Sequence, residues 1–556
     1  MYFHSPQTAL LFVVLSLVAG MAVAQYLQKN EGERALPAEL PARLTNLLLI
    51  TIILLALALR FWGLDFGLPD PYHPDEFKKA HFLTKMRRAG TLDPPSNLHP
   101  PLLLYLSWGV ASVLKALELE FSNSVIRNLF AGRVVSAIAG TISVALTYGI
   151  GRTLFSVRTG LVAALILAVS PIHVTCSRYF KEDALLVLMV LACTLAVVSG
   201  VTRKRASLLY LGGFFAGLSL ASKYTGLLSV AILLSSPWLA LENFSLRPVP
   251  ALWKPTLTSL LFVPLGFIVG APFIVFSEVA LLRVWHGFGA ESRHAMRGHL
   301  GTVVDPWVNW WMFHLNGSII PGMHLIVVAC ALVCIGIAMK RAHINALFVA
   351  ALALLFYLPA EWAPSKPPPQ PERYILPSVP FIALLSALML EFIRERLKPS
   401  WLWLLLPLFL ILPPLSRTLL LASEIKLDTR EQMTNWIAAH LEPQSRILTM
   451  GGKVYLPRVP LKFHTKTARQ EFRNRSGTII EKLKQSGDQY LLTTRFERDD
   501  WEKSSETKEP NGYFEIEQNF RLVKRFTAKN GSYAFHNPTI SLYALTERPD
   551  TENALD

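Results

Sequence analysis

The chain has 556 residues, of which 52% are hydrophobic and only 17% are charged, against roughly 25% charged in a soluble domain. Its mean hydropathy is +0.37, and apolar runs of about 18 residues or more, enough to cross a hydrocarbon core of roughly 30 Å, recur through the first 420 positions. These runs exclude a soluble protein, and the lack of two-residue alternation excludes a membrane barrel. The net charge of +15 therefore reads as basic loops against anionic headgroups, not as nucleic-acid binding.

The spans fall, in chain order, at roughly 8–27, 45–62, 132–151, 160–178, 184–200, 207–222, 226–242, 257–277, 321–339, 345–360, 374–393 and 400–421. The fold class is thus an α-helical polytopic membrane protein of about 12 transmembrane helices. The first span ends in Ala22-Val23-Ala24, which resembles a signal-peptidase site, but no Lys or Arg precedes it. A span with its N-terminus outside fits that better than a cleaved leader. Residues 1–43 are accordingly an extra transmembrane helix and its linker, and 44–421 the main transmembrane domain.

Four short loops are basic: Arg152 and Arg158; Arg203, Lys204 and Arg205; Lys340 and Arg341; Arg394, Arg396 and Lys398. The positive-inside rule puts them on the cytoplasmic side. Alternation then puts the first loop (63–131), the loop around Arg178, the loop after Lys223, the segment 278–320 and the loop before Arg373 on the other side. The apolar stretch 100–117 breaks this parity if it crosses. It is read as a helix lying at the interface, with a full crossing as the alternative. Cys176, Cys193, Cys330 and Cys334 all lie in or beside spans, so no disulfide framework is expected; Cys330 and Cys334 read as small packing residues.

Residues 422–556 form a soluble α/β domain on the outer side. "DTREQMTNWIAAHL" reads as an amphipathic helix with Met433, Trp436, Ile437 and Leu441 on one face. "RILTMG", "QYLLTTRF", "FRLVKRF" and "ISLYAL" read as strands, and "GTIIEKLKQSG" as a helix.

The spans hold almost no ionisable groups. Acids and cations gather instead at the outer helix ends: Asp75 and Glu76 in "HPDE", then Arg178, Lys181, Glu182 and Asp183, then Lys223, then Arg373 beside Tyr374. One carboxylate and several cations are what transfer of a sugar from a lipid phosphate to a hydroxyl requires. The acid takes the hydroxyl proton, and the cations hold the departing phosphate. Each residue also has a plainer reading. Asp75 and Glu76 could cap a helix. Arg178 and Lys181 could anchor helix ends at headgroups, and Lys223 could mark an outer turn. His73 and His99 could join Asp75 around a divalent cation, or be merely polar. His286, His294 and His299 lack zinc-site spacing. Lying outside the hydrocarbon, Arg178 is expected to matter little for folding.

The ordered set "HPDEFKKA", "NLHPPLLLYL", "AGRVVSAIAGTISVALTYGIGRTLF", "GLVAALILAVSPIHVTCSRYFKEDALLVLMVLA", "GLSLASKYTGLL" and "ERYILPSVPFIALL" resembles the GT-C superfamily of membrane glycosyltransferases. The likeness is to the family 39 branch of protein O-mannosyltransferases and aminoarabinose transferases. It implies Asp75 in the place of the catalytic acid with Glu76 beside it, and Arg178 and Asp183 in the second loop's functional region. It also implies a polyprenyl-phosphate-linked sugar donor and a glycan, lipid or protein acceptor at the periplasmic face of a bacterial inner membrane. A polytopic lipid or polysaccharide transporter, or flippase, is the competing class. It would need midplane charges or repeated broken spans.

Overall fold

The computed structural model describes residues 6–29, 40–239, 248–297, 313–364, 366, 371–394, 405–425, 427–451, 455–468, 478–494, 512–528 and 536–547. Among them, eight helices are long and apolar enough to cross a membrane. The count is nine if Leu315–Met323 and Leu325–Arg341, bent by 105°, form one span. The chain is a multi-pass membrane protein. The other three of the twelve expected spans are short or broken helices. Segment 160–178 is divided between Val157–Val169 and Pro171–Cys176, 207–222 is the 17-residue helix Ala206–Ser222, and 226–242 is divided among short helical turns up to Leu239. Proline at 171 explains the first break, since it removes a ladder donor. The sharp bend before Leu325 is made at His324, which sits at φ +80°.

The first helices are α1 (Pro6–Lys29), α2 (Ala42–Phe61), α3 (Pro74–Ala89), α4 (Leu102–Ala116) and α5 (Ser124–Leu154). They are followed by α6 (Val157–Val169), α7 (Pro171–Cys176), α8 (Asp183–Thr202) and α9 (Ala206–Ser222). The long α5 is opened by Asn123, whose side chain accepts from the N–H groups of Val125 and Ile126. Buried hydroxyls along α5 (Thr141, Ser143, Thr147) donate to the carbonyls four residues back, which satisfies them without a partner helix. α8 is apolar around most of its circumference and packs between α5 and α9. α4 has 15 residues, too few for a crossing; Leu103, Ser107 and Ala111 are buried, whereas Leu106 and Val113 are exposed. Helix α1 lies on Leu325–Arg341 so closely that a Cβ on Gly20 would stand 2.1 Å from the Val333 carbonyl, the small-residue packing that replaces hydrophobic drive within lipid.

A five-stranded sheet follows the last apolar helix. The strands are β1 (Arg446–Met450), β2 (His464–Thr467), β3 (Tyr490–Thr494), β4 (Phe520–Phe526) and β5 (Ile540–Glu547), in the order β2-β1-β3-β5-β4. β1 runs parallel to β2 and β3, while β5 is antiparallel to β3 and β4. Helix Thr429–His440 buries Met433 and Ile437 against one face. The four expected strands, and the helix at Ile479–Lys484, are present. β2, with its pattern of exposed polar side chains, carries no alternation from which it could be read.

Candidate active site

The site is built where α3, the Ser177–Glu182 loop and the start of α8 meet the N-terminal part of α5. α3 begins at Pro74, a residue suited to the first helical position. Its N-cap is His73, whose Nδ1 accepts from the Asp75 N–H at 3.1 Å. The capping role that the sequence offered to Asp75 belongs to His73, so the Asp75 carboxylate is free for other partners. One of its oxygens receives the Lys181 ammonium at 2.7 Å.

Glu76 points the other way. It is fully buried and holds Arg133 by two parallel hydrogen bonds of 2.8 Å. One of its oxygens also accepts the Phe180 N–H at 2.8 Å. Arg133 donates further to the carbonyls of Leu64 and Phe66 and lies 3.8 Å over the Phe66 ring. This planar, bidentate pairing leaves neither ion uncompensated. Two more contacts fix the second loop. Ser136 of α5 donates to the Lys181 carbonyl, and Phe180 lies flat on Gly132, where a Cβ would stand 2.1 Å from its ring.

The remaining ions form a chain. Lys79 meets Glu182 at 3.0 Å, Lys181 approaches Glu182 at 3.8 Å, and Lys223 meets Asp183 at 2.8 Å. Lys223 also lies 4.7 Å over the Tyr374 ring, and Arg373 donates to the Tyr374 hydroxyl and faces His73 Nε2 at 3.5 Å. Lys223, read as a turn residue or a donor contact, is thus drawn into the cluster by Asp183.

Electrostatics follow from this crowding. Lys181 above all, with Lys79, His73 and Arg373 behind it, holds the Asp75 carboxyl well below the usual carboxylate range despite partial burial. Burial disfavours the Lys181 charge, but Asp75, Glu182 and Asp183 outweigh it and keep the ammonium above the ordinary lysine range. Burial likewise opposes the Glu182 charge, and Lys79, His99 and Lys181 overcome it. His73 is pushed far down by burial and by Lys181. Burial lowers His99 to about 4, and its Nδ1 has no hydrogen-bond partner among the described residues.

Arg178 faces away from this chain of ions. It is 3% exposed and donates to the Trp62 carbonyl at 2.6 Å. This burial bears against the expectation that Arg178 matters little for folding, since its loss would leave a buried carbonyl without its donor. Next to it, Tyr179 stacks on His536 from the sheet region and exchanges a 2.9 Å hydrogen bond with it. Tyr72 donates to Glu431, and Asp70 pairs with Arg458. The sheet region therefore grips both loops.

Among the described residues no three of His, Cys, Asp and Glu stand together as ligands for a metal ion. His286 and His294 lie on the helix Ala280–Arg297; His299 and residues 298–307 of the same loop fall outside the described residues. Arg133 escaped the sequence reading. Its signal was present: a lone cation within an apolar helix is costly unless it serves a partner.

Residues 98–276 match the family model described as dolichyl-phosphate-mannose-protein mannosyltransferase. No curated protein matches the chain in sequence. Among solved structures, the chain is similar to the oligosaccharyltransferase AglB of Archaeoglobus fulgidus in complex with an inhibitory peptide and a dolichol-phosphate. The identity is 12% and the TM-score 0.51, over 89% of this chain and 74% of that one. ArnT of Cupriavidus metallidurans bound to undecaprenyl phosphate is matched at 12% identity and TM-score 0.47, over 91% of this chain and 98% of that one. The chain thus shares the fold of the oligosaccharyltransferase AglB, and its residues 98–276 match a mannosyltransferase family model.

Proposed function

We propose that the protein moves a sugar from a polyprenyl-phosphate-linked donor to an acceptor hydroxyl of a glycan, lipid or protein, at the outer, periplasmic face of a bacterial inner membrane, with inversion at the anomeric carbon. One observation carries the reading. Of the four carboxylates held in ion pairs at the site among the described residues, Asp75 alone is open, its side chain 36% exposed against 0% for Glu76, 4% for Glu182 and 2% for Asp183. The three enclosed acids are each bound to a cation. Asp75 is the one that an acceptor from water can reach.

In this reading Asp75 takes the acceptor's proton as the hydroxyl oxygen forms its bond to the anomeric carbon. The carbon–oxygen bond to phosphate breaks, and its electron pair leaves with the phosphate. A phosphate monoester, with a second pKa of about 6, departs without an acid. Arg373 is the cation of the cluster that has no carboxylate partner among the described residues, and with Lys181 and Lys223 it receives the phosphate. Lys181 works in two ways: drawn onto the phosphate it stabilises the leaving group, and by leaving Asp75 it restores basicity to the carboxylate. Tyr374 orients Arg373 and Lys223, and His99, beside Lys79 and Glu182, is a further substrate contact. Glu76 acts through Arg133 and Phe180 by fixing both loops, and Arg178 holds the end of α2 through Trp62. Residues 1–43, 44–421 and 422–556 are the extra helix, the transferase domain and an outer domain that clamps its loops.

The test is transfer of labelled sugar from a polyprenyl-phosphate donor by the purified protein, with the product's anomeric configuration read by NMR. No transfer to any acceptor class, or retention of configuration, overturns the proposal.

A further inference from the structure

A second feature lies at the opposite ends of the same helices. Arg133 and Asp183 stand near the site ends of α5 and α8, whereas Arg152 and Arg203 stand at their far ends. Between α5 and α9, over the face of α8, runs a groove of about 610 Å³. Its floor is made of small residues, Gly149, Ala192, Ala196 and Ser199, and its walls are mostly apolar side chains of α5 and α9. Arg152 and Arg203 close one end, and both are exposed. Neither pairs with an acid among the described residues.

We propose that this groove binds one molecule of an anionic glycerophospholipid from the leaflet opposite the active site. An acyl chain lies over the small-residue floor, and the phosphate is held by Arg152 and Arg203. Three physical points select this occupant. A void on a lipid-facing surface forfeits packing unless a chain fills it. Two unpaired guanidiniums at the groove's end suit a phosphate, which they can hold by paired hydrogen bonds. The groove's extent also fits one leaflet. Ala192 to Arg203 along α8 spans about 16 Å at 1.5 Å per residue, close to half of a hydrocarbon core of roughly 30 Å. A polyprenyl chain, several times longer, would overrun it.

The experiment is native mass spectrometry of the full chain released from bilayers with equal phosphatidylglycerol and phosphatidylcholine. Wild type should retain phosphatidylglycerol in preference. In the double variant R152Q/R203Q, whose exposed positions leave the fold intact, bound phosphatidylglycerol should fall roughly 30-fold, from the loss of two basic groups near a headgroup. Ala196→Leu fills the floor with both arginines in place and should lose either lipid; its melting temperature verifies its fold, and the arginine pair decides the case alone if it does not fold. Equal retention of the two lipids by wild type, an undiminished signal in R152Q/R203Q, or displacement of phosphatidylglycerol by equimolar polyprenyl phosphate would overturn the assignment. None of these readouts depends on sugar transfer, so the groove and the catalytic proposal stand or fall separately.

Discussion

Asp75 and Lys181, 106 positions apart in the chain, meet at 2.7 Å. The contact joins the loop before α3 to the loop before α8, and it places a partly exposed carboxylate against a buried ammonium. Whatever reaches Asp75 must compete with Lys181, and a phosphate is the natural competitor for that cation.

Replacing Asp75 by Asn keeps the volume and, because His73 is the cap, leaves the start of α3 in place. On the proposed mechanism the general base is lost. Transfer should fall by about 10²–10⁴-fold, with the melting temperature lowered only by the loss of this one partly exposed ion pair, since Lys181 keeps Glu182 nearby. Near-normal turnover in labelled-sugar assays would reduce Asp75 to an ion-pair residue.

Glu76→Gln should behave in the opposite way. It leaves the guanidinium of Arg133 buried with half its partnership gone, and breaking a buried pair from one side costs about 3–5 kcal/mol. We expect a lowered melting temperature and poor recovery from membranes. A stable but inactive Glu76→Gln protein would instead assign chemistry to Glu76.

The pH dependence has a definite sign. Asp75 and Glu182 are both held below the usual carboxylate range. Their contribution to stability is therefore complete above the unfolded value of about 4 and is lost as pH falls through their lower folded values. With Lys181→Met, the largest force depressing Asp75 disappears. The acid limb of the pH–rate profile should then move upward, while residual transfer persists. An unmoved limb would show that Lys181 does not set the basicity of Asp75.

Gly132→Val places a side chain where Phe180 now lies; a Cβ there would already stand 2.1 Å from the ring. The second loop must shift, carrying Lys181 with it. Transfer should drop by about 10²-fold through misplacement alone, and a cysteine cross-link between positions 75 and 181 should form less readily than in the Gly132 background.

Arg178→Ala removes a buried donor from the Trp62 carbonyl. Such a loss costs about 1–3 kcal/mol, so the variant should melt earlier as well as turn over more slowly. An unchanged melting temperature with lost donor binding would return Arg178 to the phosphate.

The membrane class, the order of the apolar segments and the clustering of ions at helix ends are legible along the chain, because hydropathy and charge act locally and need no partner to be read. The sequence also marked the C-terminal strands with clear period, and the face of Met433 and Ile437. It could not say which of two adjacent acids is open. Asp75 and Glu76 are neighbours of the same chemistry, and only the return of α5, with Arg133 enclosing Glu76, separates them. Nor could it pair Lys181 with Asp75, Lys223 with Asp183, or Tyr179 with His536. Those contacts join residues 40 to 357 positions apart. A charge's partner at such separations depends on which helices pack together, and that is decided by small residues such as Gly132 and Gly20, whose importance lies in what they allow to approach.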